Sequence, residues 1–299
     1  MQLARRRARH AYLVTSSLPV VVGVDGSACA RSAVEWAADE ADRRGAVLRV
    51  VHANLWPTVR MPAGPYPIEH RQLTLEISRR LLFDALVAAS ERHPALTVTG
   101  DLVPTTPIDL MLAESRKAQL VVLGSRGYGG LAGMLLGSVA LAVAGHGSCS
   151  LVVVRDDTPD AGLAARGPVV VGLDGSTRDD PALRFALEAA DARHTSLIAV
   201  HAWTASDRAA DQEAAADEQR RLLAERVAGW QPQFPDVKIT SLVPVGRPAA
   251  ALLRCAEAAR LLVVGSRGRG GIGGLLLGST SHSLLHRAPC PIAIVRDRD

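Results

Sequence analysis

The sequence contains only two lysines, Lys117 and Lys238, and aromatic residues make up only 3% of it. Its 34 basic residues are therefore almost all arginines, and four of these lie within the first ten residues. Leaving out those four leaves 30 basic against 30 acidic residues. Because the rest of the chain has no basic excess of the kind that binds duplex nucleic acid, we expect no nucleic-acid partner.

Cysteine pairs and long apolar runs are also missing. The four cysteines form no Cys-x-x-Cys pair, and no apolar run reaches the roughly 18 residues that cross a membrane. Cys149 and Cys290 occupy equivalent places in the two halves of the chain, which predicts small buried side chains in a reducing cytoplasm. Residues 1–18 form a basic tail without a secretory signal, which we interpret as a disordered arm or an overextended start. We therefore expect a cytoplasmic protein without membrane contact.

An internal repeat dominates what the sequence does contain. The stretch from Gly124 to Ser138 returns from Gly265 to Ser279 with eleven of fifteen positions identical, and each copy follows an apolar run. Each copy is typical of a strand that leads into a glycine-rich loop and then into a helix. Glycines let backbone N–H groups approach a ligand closely, and a helix N-terminus favours an anion. The repeat therefore predicts a phosphate-binding loop in each half.

Two other phosphate-binding motifs differ from these loops. A P-loop requires Gly-Lys-Ser/Thr, and neither copy contains a lysine. Gly268, Gly270 and Gly273 spell the Gly-x-Gly-x-x-Gly of dinucleotide-binding folds, but the expected acidic residue about twenty positions on is missing. His282 and His286 have i, i+4 spacing without a third ligand nearby, so we expect no metal site there.

The order of apolar runs and helical patterns predicts the fold class. Each half reads as five strands alternating with four helices, which indicates α/β architecture: two tandem doubly wound five-stranded parallel-sheet domains. We predict domains at 19–155 and 168–299, joined by a linker at 156–167. Ligands of such sheets bind at the carboxyl ends of strands, where the strand order reverses. The glycine loops follow the fourth strand of each half, at that point.

Four motifs resemble the universal stress protein family in its tandem two-domain form. They are Gly-x2-Gly-x9-Gly-Ser after strand four, Gly-x-Asp-Gly-Ser after strand one, a histidine ending strand two, and Pro-Cys-Pro before the last strand. The resemblance implies an adenine nucleotide alpha hydrolase-like fold that binds ATP with magnesium. It further implies a regulatory role in stress or dormancy, association as a homodimer, and an unknown regulatory protein partner. We expect no enzymatic activity; the alternative is a slow ATP hydrolase or phosphotransferase.

The resemblance also implies which residues bind the nucleotide. Asp25 and Asp174 would contact the nucleotide and its magnesium, while His52 and His201 are expected to be packing residues. In the first half the binding residues would be Gly23, Val24, Asp25, Ala53, Gly124, Ser125, Arg126, Gly127, Tyr128, Gly129, Gly130, Gly137, Ser138 and Val139. In the second half they would be Gly172, Leu173, Asp174, Ala202, Gly265, Ser266, Arg267, Gly268, Arg269, Gly270, Gly271, Gly278, Ser279 and Thr280.

The two halves differ in the turn before the third helix. The second half reads Val-Pro-Val-Gly-Arg-Pro and ends at Pro248, whereas the first half, ending at Pro107, is one residue shorter and lacks the glycine. We therefore expect the first half to hold nucleotide in a different pose or more weakly. Two bound nucleotides are expected, and a single one would indicate that one half is a degenerate repeat.

Overall fold

A computed structural model describes residues 18–54, 68–127, 136–156, 167–176, 180–203, 209–268 and 277–297. For residues 68–71 and 209–212 only the backbone is described. Several predictions fall outside these ranges: the basic tail up to residue 17, nearly all of the linker, and the loop residues Tyr128, Gly129, Gly130, Arg269, Gly270 and Gly271.

The described residues form ten strands and eight helices. The first half contains β1 Val20–Gly23, α1 Ala28–Arg44, β2 Leu48–Ala53, α2 Ile68–Arg92, β3 Val98–Val103, α3 Pro107–Ser115, β4 Leu120–Gly124, α4 Ser138–His146 and β5 Ser150–Val154. The second half contains β6 Val169–Gly172, α5 Asp180–Ala192, β7 Leu197–Val200, α6 Ala209–Ala228, β8 Ile239–Leu242, α7 Pro248–Ala256, β9 Leu261–Gly265, α8 Ser279–Arg287 and β10 Ile292–Val295.

All ten strands belong to one sheet, in the order β3-β2-β1-β4-β5-β10-β9-β6-β7-β8. Neighbouring strands within each half are parallel, whereas β5 and β10 pair antiparallel, with Ile292 opposite Val153 and Ile294 opposite Leu151. The predicted fold class is confirmed. The two halves therefore associate through their last strands.

Helices cover both faces of this sheet because the strand residues are apolar on both sides. In β1, Val20 and Val22 belong to the core cluster that contains Ala37 of α1, while Val21 belongs to the cluster that contains Val143 of α4. All five residues are fully buried. Continuous valine runs of this kind are expected for parallel strands that lie between two helical layers.

Local signals set the ends of the first helix. The hydroxyl oxygen of Ser27 accepts a hydrogen bond from the N–H of Ala30, which caps the start of α1. Gly45 ends the helix with φ 59°, in the left-handed region that favours glycine.

Cys149 and Cys290 are buried as predicted, and burial raises the pKa of the Cys290 thiol to about 12. Among the described helices, none is long and apolar enough to span a membrane.

The strand order fixes where a ligand crevice can open. In the first half the chain moves from β1 to β2 and β3, and then returns past β1 to form β4 on its other side. The connections after β1 and β4 therefore leave the same sheet edge towards opposite faces, which opens a crevice between them. The second half repeats this arrangement with β6 and β9.

Candidate functional site

A cavity of about 360 Å³ lies at this crevice in the first half. It is bounded by the ends of β1, β2 and β4, by α3, and by the start of α4. We call it the first site. Ten of the residues predicted from the sequence line it: Gly23, Val24, Asp25, Ala53, Gly124, Arg126, Gly127, Gly137, Ser138 and Val139.

The turn after β1 holds Asp25 against the glycine loop. One carboxylate oxygen of Asp25 accepts from the N–H of Ser27 at 3.0 Å, and Gly26 takes a φ of 84° that favours glycine. The hydroxyl of Ser27 donates to the carbonyl oxygen of Arg126 at 3.2 Å, which ties this turn to the loop. A Cβ atom on Gly127 would lie 2.5 Å from the other Asp25 oxygen. The loop therefore passes so close to Asp25 that a side chain at position 127 would have to displace the Asp25 carboxylate.

The start of α4 faces the cavity. Gly137 is its N-cap, makes no side-chain capping bond, and donates its own N–H to the carbonyl of Ser125 at 2.7 Å. The first N–H groups of a helix have no partner within the helix, and together they carry a partial positive charge. Ser138 and Val139, at this end, line the cavity. This end of the first site is therefore suited to an anion.

Ser125 has a different position from its neighbours in the loop. It is fully buried, its N–H donates to the carbonyl of Val154 at 2.7 Å, and its hydroxyl lies 3.7 Å from the sulfur of Cys29. Ser266 is equivalent, because it is also buried and donates its N–H to Val295 at 2.9 Å. These two serines anchor the glycine loops to the last strand of their own half.

The other end of the cavity is apolar, and our sequence interpretation did not include it. Val51, Leu110, Met111, Leu123 and Leu136 line this end. Leu110 and Met111 come from α3, which packs against α4 across the crevice. An apolar pair in a short helix is ordinary core sequence, so only the tertiary arrangement shows that it faces a cavity.

The second half repeats the polar framework. Asp174 accepts from the N–H of Ser176 at 2.8 Å, and a Cβ atom on Gly268 would lie 3.4 Å from the other Asp174 oxygen. Gly278 caps α8 and donates to the carbonyl of Ser266 at 2.9 Å. We call this region the second site. The predicted residues at these strand ends and at the helix start are Gly172, Leu173, Asp174, Ala202, Gly265, Ser266, Arg267, Gly268, Gly278, Ser279 and Thr280.

The histidines that end β2 and follow β7 hold the turns after β1 and β6. Nδ1 of His52 donates to the carbonyl of Val24 at 2.6 Å, and Nδ1 of His201 donates to that of Leu173 at 2.9 Å, since a carbonyl oxygen only accepts. His201 is buried, whereas His52 also lines the first site.

Elsewhere, the rings of His282 and His286 lie 4.8 Å apart, and the described residues contain no group of three side chains that could hold a metal ion.

The turn before α3 explains how the first half dispenses with a glycine. Thr106 is the N-cap of α3, and its hydroxyl oxygen accepts from the N–H of Asp109 at 3.2 Å. The second half instead uses Gly246 at φ 127°, followed by Arg247 as an N-cap without a side-chain bond. A capped short turn thus replaces a glycine turn beside the first site.

The fold defines a tandem α/β protein in which the same polar framework lies at the switch point of each half. The chain belongs to the universal stress protein family, whose model matches residues 18–155 and 166–296. It is 39% identical over 284 residues to Universal stress protein Rv2005c of Mycobacterium tuberculosis, and the alignment covers 93% of this chain and 96% of that protein.

A solved structure shares the overall fold. A universal stress protein from Archaeoglobus fulgidus superposes with a TM-score of 0.70 at 20% identity, covering 96% of this chain and 99% of that one. A universal stress protein solved in complex with cAMP is 28% identical and covers 48% of this chain and all of that chain, with a TM-score of 0.35.

Proposed function

We propose that each half binds ATP with magnesium and that occupancy of the two sites serves a regulatory role. The first site carries this proposal, because a single cavity joins an apolar end to an anion-binding end. Its volume of about 360 Å³ falls within the range of about 300–1,000 Å³ typical of small-molecule sites.

The two ends of the cavity match the two ends of a nucleotide. Val51, Met111 and Leu123 offer apolar surface on which a planar base loses contact with water. The backbone around Gly127 and the first turn of α4 offer N–H donors to phosphate oxygens, and Arg126 adds a positive charge. An oligophosphate on a flat heterocycle satisfies both ends at once.

Magnesium fits beside Asp25. Magnesium prefers oxygen ligands and is usually held by one or two carboxylates together with substrate phosphates. Asp25 and Ser138 both line the first site, and their side chains carry such oxygens. When bound, the ion would neutralise phosphate charge, and Asp174 and Ser279 are the matching residues of the second site.

A binding role accounts for the described residues better than catalysis. Among the described residues that line the first site, Asp25 and His52 carry the side chains that can act as general bases. Nδ1 of His52 donates to the carbonyl of Val24, which leaves Nε2 as the candidate base, and we assign Asp25 to the metal. Because the rest of the described lining is apolar or donates hydrogen bonds, we propose a nucleotide-dependent regulator rather than an ATP hydrolase. It would act in the cytoplasm as a homodimer, in stress or dormancy, through a protein partner that reads nucleotide occupancy.

Calorimetric titration of nucleotide-stripped protein tests this proposal. With Mg²⁺ present, ATP should bind with a stoichiometry of two per chain. Adenosine and tripolyphosphate, which each fill one end of the cavity, should bind more weakly than ATP. Absence of ATP binding by folded protein contradicts the proposal, and a stoichiometry of one would restrict it to a single half. Mass spectrometry of protein from its native host should identify a co-purified nucleotide.

A further inference from the structure

Each half ends its last strand on an arginine that reaches into the other half. Arg155 follows β5 and donates to the carbonyl of Leu285 at 2.8 Å. Arg296 follows β10 and donates to the carbonyls of Ala144 and Gly145 at 2.5 and 2.7 Å. The two arginines are equivalent in the repeat, and so are Ala144 and Leu285. The contacts are therefore reciprocal across the junction of the halves.

These carbonyls belong to the helices whose first turns lie at the two sites. Ala144 lies in the last turn of α4, and Leu285 lies in the last turn of α8. Carbonyls in the last turn lack partners within the helix and carry partial negative charge, so a half-buried guanidinium stabilises and fixes that end. A helix of nine residues is only about 13 Å long. Each arginine thus binds the C-terminal end of a short helix whose N-terminal end faces the site.

The same arginines adjoin the glycine loops of their own half. Arg155 follows Val154, whose carbonyl accepts from the loop residue Ser125, and Arg296 follows Val295, whose carbonyl accepts from Ser266. Burial, and then the positive charge of Arg267 in the second loop, lower the pKa of Arg296. A continuous series of contacts therefore runs from the loop of one half, through an arginine, to the site helix of the other.

We infer that Arg296 is a positioning residue for the first site, that Arg155 is one for the second, and that the pair couples the two sites. This inference rests on the proposed function. A phosphate that binds near Arg267 reduces the repulsion between Arg267 and Arg296. Arg296 then holds the end of α4 more firmly, so ATP at the second site should increase affinity at the first. Linkage requires the reverse effect to be equal.

Two glycine substitutions isolate the sites. Gly137 and Gly278 have N-cap backbone angles that suit aspartate, and an added Cβ would meet no atom closer than 3.6 Å. The carboxylate of Gly137→Asp or Gly278→Asp would repel phosphate at that helix start. In Gly278→Asp only the first site should bind Mg-ATP, so a titration measures that site. In Gly137→Asp only the second site should bind Mg-ATP.

Arginine substitutions in these two backgrounds then test the inference. With only the first site open, Arg296→Ala should weaken ATP binding about three- to tenfold, and Arg296→Lys, which keeps charge and donors, should restore most of it. With only the second site open, Arg155→Ala and Arg155→Lys should behave in the same way. Arg221→Ala, on an exposed face of α6, is the matched control and should leave both affinities unchanged.

The outcomes separate this inference from the proposed function. If the parent proteins bind no ATP, the proposed function fails. If they bind ATP and folded Arg296→Ala and Arg155→Ala match their parents, the positioning role of the arginines is overturned, and with it the coupling, while the proposed function stands. Should either alanine variant fail to fold, the glutamine variant, which keeps donors without charge, decides between these results. A titration of the unaltered chain that fits two independent sites would also overturn the coupling.

Discussion

Arg193 of the second half donates to Glu40 of the first half at 2.5 Å, in the buried junction between α1 and α5. Arg44 binds the same carboxylate at 2.6 Å. The two arginines are equivalent in the repeat, and each stacks on a ring of the opposite half: Arg44 on Phe185 at 5.1 Å and Arg193 on Trp36 at 5.6 Å. A single carboxylate therefore binds a symmetric pair of cations and neutralises one of their two charges.

The Glu40 carboxylate predicts how stability depends on pH. Burial opposes its ionisation, but Arg44 and Arg193 outweigh burial and hold the pKa at about 2, below the ordinary value of 4.5. Stabilisation from a lowered pKa is present above the unfolded value and is lost as pH falls towards the folded one. The free energy of unfolding should therefore decrease between about pH 4.5 and 2, as urea titrations at several pH values can show.

Substitution of Glu40 tests the same contact. Glu40→Gln leaves the buried Arg193 and the partly buried Arg44 without their carboxylate partner and should destabilise the chain by about 3–5 kcal/mol at neutral pH, with a flatter acid limb. Glu218→Gln removes an exposed partner of Arg221. It should change neither the free energy of unfolding at neutral pH nor the decrease in that free energy at acid pH. Equal unfolding curves for the two variants would contradict the importance of the buried pair.

Alanine at the two loop glycines should have unequal effects. A Cβ on Gly127 would lie 2.5 Å from Asp25, whereas one on Gly268 would lie 3.4 Å from Asp174. Gly127→Ala should displace the Asp25 carboxylate and weaken Mg-ATP binding at the first site at least about tenfold, while Gly268→Ala should have a smaller effect at the second. Calorimetry measures both, and thermal unfolding should show that both variants fold. Equal losses would be inconsistent with this geometry.

Aspartate at the helix starts should separate stability from binding. Gly137→Asp adds a favourable N-cap side chain, so the free energy of unfolding without ligand should stay within about 0.5 kcal/mol of the original or rise. The same carboxylate should lower the stoichiometry of ATP binding from two to one. Gly278→Asp should do so for the other site. Unchanged stoichiometry in either variant would remove that helix start from the binding site.

Removal of magnesium should weaken ATP binding through Asp25 and Asp174. Chelation with EDTA should lower the affinity of the unaltered chain to that of the Asp25→Asn, Asp174→Asn double variant, which should itself be insensitive to EDTA. Phosphate release should remain at background in both proteins. If the double variant keeps the full magnesium effect, the ion is held elsewhere; equal phosphate release above background would identify a contaminant.

The sequence was sufficient to predict the polar half of the first site. Repeated glycines at fixed spacing, together with alternating strands and helices, place Asp25 and the loop at Gly127 on the same sheet edge, because topology requires it. The fold class followed from the same alternation. Motif spacing and the alternation of strands and helices can be read directly from the sequence.

Contacts that depend on tertiary packing could not be predicted in the same way. Met111 reads as an ordinary core residue until α3 is placed across the crevice. Glu40, Arg155 and Arg296 find their partners in the other half, more than a hundred residues away along the chain. Ser125 shares the loop motif yet turns into the core. Neither hydrophobic periodicity nor motif spacing predicts these contacts.

The antiparallel pairing of β5 with β10 has a consequence for how the two halves can evolve. In a symmetric pair of identical subunits, every substitution appears on both sides of the interface and must be compatible with its own copy. Covalent fusion removes that constraint. Position 40 holds a glutamate while its counterpart, Ala189, is uncharged, so a single mutation could introduce a carboxylate at the junction without a second one opposing it. Duplication thus allowed the halves to diverge while remaining partners.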